Sequence, residues 1–222
     1  MGQLMPVRSS MRLADATVDS YVGLDDDAFW ATVESSVLRR LIEAALECFA
    51  SRGYHGTTTR EVAERGGVSP GGVYVHFASK SDMLFTIALW GHHSSLAVIE
   101  DALRRTDADD HERRLRAIIS ALVTWHVEHL ELARVIAFEQ GALPPERRLL
   151  LRPFRHRFFE HVAGELVAGH EDGEFDVVNP TDTARVLLSL CSDIARWYRP
   201  GRGPGSAKLA SDYADIATRL VK

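Results

Sequence analysis

Apolar residues recur along this chain at spacings of three and four, and that period constrains the fold more than any other feature. Leu38, Leu41, Ile42, Ala45, Leu46 and Phe49 form one stripe, with Gly53 as its stop. Leu115, Ile118, Ile119, Leu122, Val123, Val127 and Leu130 form a second, and Leu209, Tyr213, Ile216 and Leu220 a third. Strand signals are almost absent: there is no long alternating run, and no Asn-Gly or Asp-Gly pair between β-branched stretches. The chain is expected to be all-α.

Composition narrows the class. With 222 residues, 45% hydrophobic and 26% charged, the chain can bury a sizeable core, and wholesale disorder is excluded. Apolar runs are only a few residues long, as at Leu187-Leu188, against the roughly 18 needed to span a bilayer. The first twenty residues lack an apolar core, so no secretory signal is expected. Cys48 and Cys191 cannot make a disulfide framework. The expectation is a soluble, cytoplasmic protein. Its 26 Lys+Arg against 31 Asp+Glu give a formal charge of −5, which excludes a uniformly basic nucleic-acid coat but not a local patch.

Three zones follow. Residues 1–30 are expected to be a disordered N-terminal extension. An arm carrying Arg8 and Arg12 onto DNA is the alternative, opposed by Asp15, Asp19 and Asp25. Asp25, Asp26 or Asp27 could cap an earlier start of the first helix. Residues 31–85 hold one long helix and then short ones across Gly-rich turns. Residues 86–222 hold long helices, with breaks near Thr106–Asp110, Gly141–Pro145, Gly169–Pro180 and Pro200–Ser206.

The stretch from Gly53 to Phe85 carries the strongest signal. Thr57 or Thr58 can cap a helix, with Glu61 completing a capping box, and Gly66-Gly67 end it. Ser69 caps a second short helix, with Pro70 at N1, and Ser79 with Asp82 starts a third. Two short helices across a tight Gly-containing turn, packed on a longer one, describe a helix-turn-helix. Its second helix would enter a major groove with Ser69, Pro70, Gly71 and Gly72 leading. Thr59 and Arg60 on the preceding helix would add readout, and Tyr74, His76 and Lys80 suit phosphates. Over residues 33–85 six basic residues balance six acidic ones, so affinity must rest on a few placed groups.

The run Gly67-Val68-Ser69-Pro70-Gly71-Gly72-Val73-Tyr74-Val75-His76-Phe77, followed by Lys80 and Leu84, resembles the helix-turn-helix signature of the TetR family of transcriptional repressors. Ala44-Ala45 to Phe49, Gly53-Tyr54 and Thr57-Thr58-Thr59 resemble that family's first helix and turn. The resemblance implies an N-terminal three-helix DNA-binding domain and a C-terminal helical-bundle domain for effector binding and dimerisation. It further implies a homodimer on a palindromic double-stranded operator, released by a small molecule. By the family pattern Thr58, Tyr74, His76 and Lys80 match phosphate-contacting positions, and Ser69 to Gly72 match the groove-facing stretch. Pro70 stands where members often carry a larger polar residue.

Downstream, Gly173-Glu174-Phe175 to Pro180, and then Arg196-Trp197-Tyr198-Arg199-Pro200-Gly201, resemble a branch of the family controlling fatty-acid, sterol or aromatic-acid breakdown. Several members of that branch respond to acyl-CoA thioesters. Trp125, His126, His129, Phe138, Phe154 and Phe158 mix aromatic and polar groups as a ligand pocket would. Arg152, Arg155 and Arg157, near Arg147-Arg148, could hold phosphates or simply form a solvated face.

A helix from about Thr181 to Tyr198 is apolar on two faces. Leu187, Leu190, Ile194 and Trp197, with Leu209, Tyr213, Ile216 and Leu220, suit a four-helix dimer interface. The long helix after Ser79 joins the domains and is the candidate lever between effector and DNA. No cofactor or metal is expected. A metal-responsive regulator using His126-x-x-His129 is the alternative, with Glu128, Glu131 or Glu139 as a third ligand. A DNA-processing enzyme subunit is more distant, because the chain shows no phosphate-binding loop and no His-Glu-x-x-His.

Overall fold

A computed structural model describes residues 35–222. The extension expected over residues 1–30, with Arg8, Arg12 and the Asp25–Asp27 cap, lies outside them. Ten α-helices follow among the described residues: α1 (Ser36–Gly56), α2 (Thr59–Arg65), α3 (Pro70–His76), α4 (Lys80–Arg104), α5 (His111–Glu128), α6 (Leu130–Glu139), α7 (Pro145–Leu150), α8 (Arg152–Glu171), α9 (Pro180–Trp197) and α10 (Ser206–Leu220). No strand occurs among the described residues, so the all-α expectation holds.

The fold separates into two compact units. The first gathers the described residues up to Ser94 together with Arg134–Leu151; the second gathers Ser95–Ala133 and Arg152–Lys222. In the first unit α1 turns Leu41, Ile42, Ala45 and Phe49 inward, the stripe the sequence shows. Each such large side chain contributes about 1.5–3 kcal/mol by leaving water. Gly53, at φ 73° and ψ 164°, leaves helical geometry and breaks α1 there, the stop the sequence shows. Only glycine reaches that region without penalty.

Helices of seven residues such as α2 and α3 are too short to stand alone, so their caps and buried faces hold them. The early part of α4 buries Met83, Leu84, Phe85 and Ile87.

The second unit is built around α5, which packs most extensively on α10 and then on α8 and α9. Leu115, Ile118, Ile119, Leu122 and Val123 meet Val162, Leu166, Leu187, Ile194 and Leu209 in one core. A buried polar cluster sits at its edge. His111 Nδ1 lies 3.0 Å from Glu165 Oε2, and Nε2 lies 3.2 Å from Asp172 Oδ2. Arg114 Nε donates to Glu165 Oε1 at 2.8 Å. Two carboxylates call for two N–H donors, which only the imidazolium supplies. The hydrogen bond to Glu165 accordingly raises the His111 pKa above its usual value, burial opposes it, and Asp172 adds to the rise. Close packing makes this possible: a Cβ on Gly169 would lie 2.4 Å from the Phe175 ring and 3.1 Å from His111 Cβ.

Candidate nucleic-acid interface

Local chemistry starts α2 and α3 and turns the chain between them. Thr58 Oγ1 accepts from Glu61 N at 3.2 Å, while Thr58 N donates to Glu61 Oε2 at 2.8 Å, a complete capping box. Gly66 leaves room for Leu41, whose Cδ2 would be 2.9 Å from a Cβ there, and Gly67 makes the turn at φ 69°. Ser69 Oγ then accepts from Gly72 N at 3.1 Å, and Pro70 occupies the first turn of α3. Gly67-Val68-Ser69-Pro70-Gly71 spells a nucleophile-elbow pattern, but it joins helix to helix, and Ser69 is a cap.

The residues singled out for DNA fall into two groups. Thr58, Arg60, Ser69, Pro70, Gly71 and Tyr74 are exposed, and Thr59, Gly72 and His76 are half-buried. Thr59 Oγ1 and the Tyr74 hydroxyl lie 3.3 Å apart, tying the exposed faces of α2 and α3 together. Among the described residues no carboxylate pairs with Arg60, whereas Arg52 pairs with Glu61, Arg65 with Glu47, and Arg39 with Glu43. Lys80 stands apart. Its ammonium donates to Tyr54 O at 2.7 Å and Thr57 O at 2.8 Å, and lies 4.2 Å from the Tyr54 ring centroid. Two of its three donors therefore hold α1 to the turn before α2, with one left for anything outside.

Sequence reasoning missed two anchors of this unit. Glu139, at the end of α6, accepts from Tyr54 N at 2.9 Å, and a Cβ on Gly53 would lie 3.3 Å from its Oε1. Arg147 donates to Asp82 Oδ1 at 3.0 Å and stacks 4.7 Å from the Phe85 ring centroid. Neither has a local signal, because the partners stand far apart in sequence.

In the second unit an open, mainly apolar depression of about 320 Å³ is lined by α4 and α5 residues with His129, among them Val98, Ala117, Ala121, Thr124, Trp125 and Glu128. Of the six residues expected to form a pocket, Trp125 and His129 line it, their rings 5.4 Å apart. The rest do not join them. His126 bonds through Nδ1 to Leu122 O at 2.7 Å, and burial pushes its pKa down, with that bond opposing. Phe154 is fully buried, Phe158 packs against the core, and Phe138 belongs to the first unit with half its surface exposed. Aromatic content marked helix faces there without telling core from cavity. Among the described residues no group of three His, Cys, Asp or Glu side chains could hold a metal, which leaves the His126/His129 pair without a third ligand.

The dimer candidates also divide. Ile194 and Leu209 lie in the core of a single chain, a correction to their assignment, and Leu187 is buried with them, facing outward only at a hollow. Leu190, Trp197, Ile216 and Leu220 are exposed, with Val186 beside them, and Tyr213 is half-buried. Ile119, Leu187, Leu190, Cys191, Tyr213 and Ile216 enclose a small hollow of about 140 Å³ on this side.

Comparison with known proteins decides the family. Residues 41–87 match the family described as bacterial regulatory proteins, tetR family, and residues 108–221 match the tetracyclin repressor-like C-terminal domain. This chain belongs to the TetR family of transcriptional regulators. It is 31% identical over 182 residues to the HTH-type transcriptional repressor KstR2 of Rhodococcus jostii, covering 79% of this chain and 86% of that one.

A TetR-family regulatory protein from Rhodococcus RHA1, solved by crystallography, shares 34% identity with a TM-score of 0.79, over 84% of this chain and 97% of its own. AibR, crystallised with isovaleryl coenzyme A and operator DNA, has the same fold at 20% identity, TM-score 0.75, over 82% of this chain and 97% of its own. The TetR match over residues 41–87 encloses the whole helix-turn-helix, so this chain is a transcription regulator and not an enzyme. No helix among the described residues is long and apolar enough to cross a membrane.

Proposed function

We propose that this TetR-family chain is a homodimeric repressor that binds a palindromic operator through α2 and α3 and is released by a small apolar or acyl-CoA-like effector. The observation that carries the reading is the exposed face made by Thr58, Thr59, Arg60, Ser69 to Gly72 and Tyr74. It is fixed by caps and by the Thr59–Tyr74 contact, and buried on its other side through Val73. Exposed Leu190, Trp197, Ile216 and Leu220 support a two-fold contact between copies.

The depression beside Trp125 and His129 is the effector candidate, and AibR's isovaleryl coenzyme A supports the ligand class. Release is a linkage effect: the effector favours a dimer state that no longer fits successive major grooves, with a coupling of about 1–3 kcal/mol. Helices α4 and α6 carry the signal in this scheme, since each runs from one unit into the other and α6 ends on the Glu139–Tyr54 bond.

A mobility-shift assay on the promoter of the adjacent gene, with and without isovaleryl coenzyme A and longer acyl thioesters, tests the reading. A retarded band dispersed by a thioester, and not by free coenzyme A, is expected. A band that no thioester or carboxylic acid disperses contradicts the effector class.

A further inference from the structure

Gly71 has no internal reason to be glycine. A Cβ built on it meets nothing within 4 Å, and its φ is not among the positive values. It is the second residue of α3, directly after Ser69 and Pro70, and with no side chain it leaves the backbone bare on the exposed side of the helix. Gly72 differs: a Cβ there would touch Ser69 Oγ at 3.4 Å and Val68 Cβ at 3.5 Å. Val75 follows Gly71 by one helical turn on the same line. It is 74% exposed, while Val73, about 200° away around the helix, is fully buried. A single exposed valine is ordinary on a protein surface. Here it stands on the outermost ridge of α3, beyond a glycine that packing does not require, and next to Tyr74.

We propose that Gly71 and Val75 are the reading edge of α3: Gly71 lets the backbone close on a base pair, and Val75 packs its methyl groups on the C5 methyl of a thymine. This rests on the DNA-binding reading above. A valine side chain offers no hydrogen bond, so it discriminates bases only by apolar contact, and the thymine methyl is the apolar feature of the major-groove edge. Arg60 and Tyr74 then supply charge and hydrogen bonding around it, and specificity at this position is for T over C.

The test uses the full chain and a duplex it selects from a randomised library. Each thymine is replaced in turn by uracil, which removes only the methyl group. One thymine per half-site is expected to respond, with affinity falling about fourfold, the ratio given by burying one methyl group. Val75→Ala should lower affinity for the parent duplex by a similar factor and abolish the uracil effect. Gly71→Ala should weaken binding while its unfolding midpoint stays level or rises, which a packing role would not give. Uracil without effect at every position, a uracil effect that survives in Val75→Ala, or wild-type affinity in Gly71→Ala each overturns the proposal. Failure to enrich any duplex overturns the DNA-binding reading itself, and this proposal with it.

Discussion

Replacing His111 by Asn should destabilise the second unit in a pH-dependent way. The imidazolium bridges buried Glu165 and exposed Asp172. A hydrogen bond to a charged group is worth about 1.5–3 kcal/mol net. The solvent-exposed Asp172 end adds only about 0.2–1 kcal/mol. Arg114 stays on Glu165 in the variant, so the loss remains below that of a wholly orphaned buried charge. The variant should therefore lose about 2–4 kcal/mol at pH values below the ordinary titration of histidine.

The sign follows from the direction of the shift. His111 binds its proton more tightly folded than unfolded, so its contribution is complete below the ordinary value of 6.5 and fades as pH rises through the higher folded-state value. Urea unfolding of both proteins, read by circular dichroism at about pH 6 and about pH 9, measures this. The midpoints should be well separated at the lower pH and approach each other at the higher. A gap that is constant or widens with pH refutes the charged bridge.

Three further outcomes follow from the contacts. Glu139→Gln weakens the acceptor for the Tyr54 amide, and hydrogen exchange at that amide should speed up by about tenfold, as a loss near 1.4 kcal/mol implies; unchanged exchange would contradict the anchor. Gly169→Ala drives a methyl group into the Phe175 ring and should cost about 1–3 kcal/mol or more, seen as a lower melting temperature. Leu190→Glu with Ile216→Glu places charge on the exposed α9/α10 face, so sedimentation should show monomers at micromolar concentration with the helical circular dichroism intact.

Much of the fold was legible because its signals are local. Thr58 and Glu61, Ser69 and Pro70, and Ser79 and Asp82 each announce a helix start within three residues, and caps form at all three. The apolar stripes of α1 and α5 likewise reached the core. What was not legible depends on distant partners. Leu187 and Ile194 look like Leu190 and Trp197 in sequence, but α5 and α8 cover one face of α9 and leave the other open. Lys80 reads as a phosphate ligand until the carbonyls of Tyr54 and Thr57 close on it. The His111–Glu165–Asp172 bridge joins the start of α5 to the end of α8, and no spacing rule links those positions. Phe138 and Phe154 carried the same aromatic signal as Trp125, yet one belongs to the first unit and the other fills a core.

The central claim is that two copies of this chain read an inverted repeat through α3. Selecting duplexes from a randomised library with the purified full chain, and then counting chains per bound duplex by analytical ultracentrifugation, tests it most directly. The account predicts an enriched inverted repeat with half-site centres one helical turn apart or a multiple of it, bound by an even number of chains, with affinity lowered on substitution of Tyr74 or Val75. Enrichment of a direct or single site bound by one chain, or no enrichment at all, would contradict it.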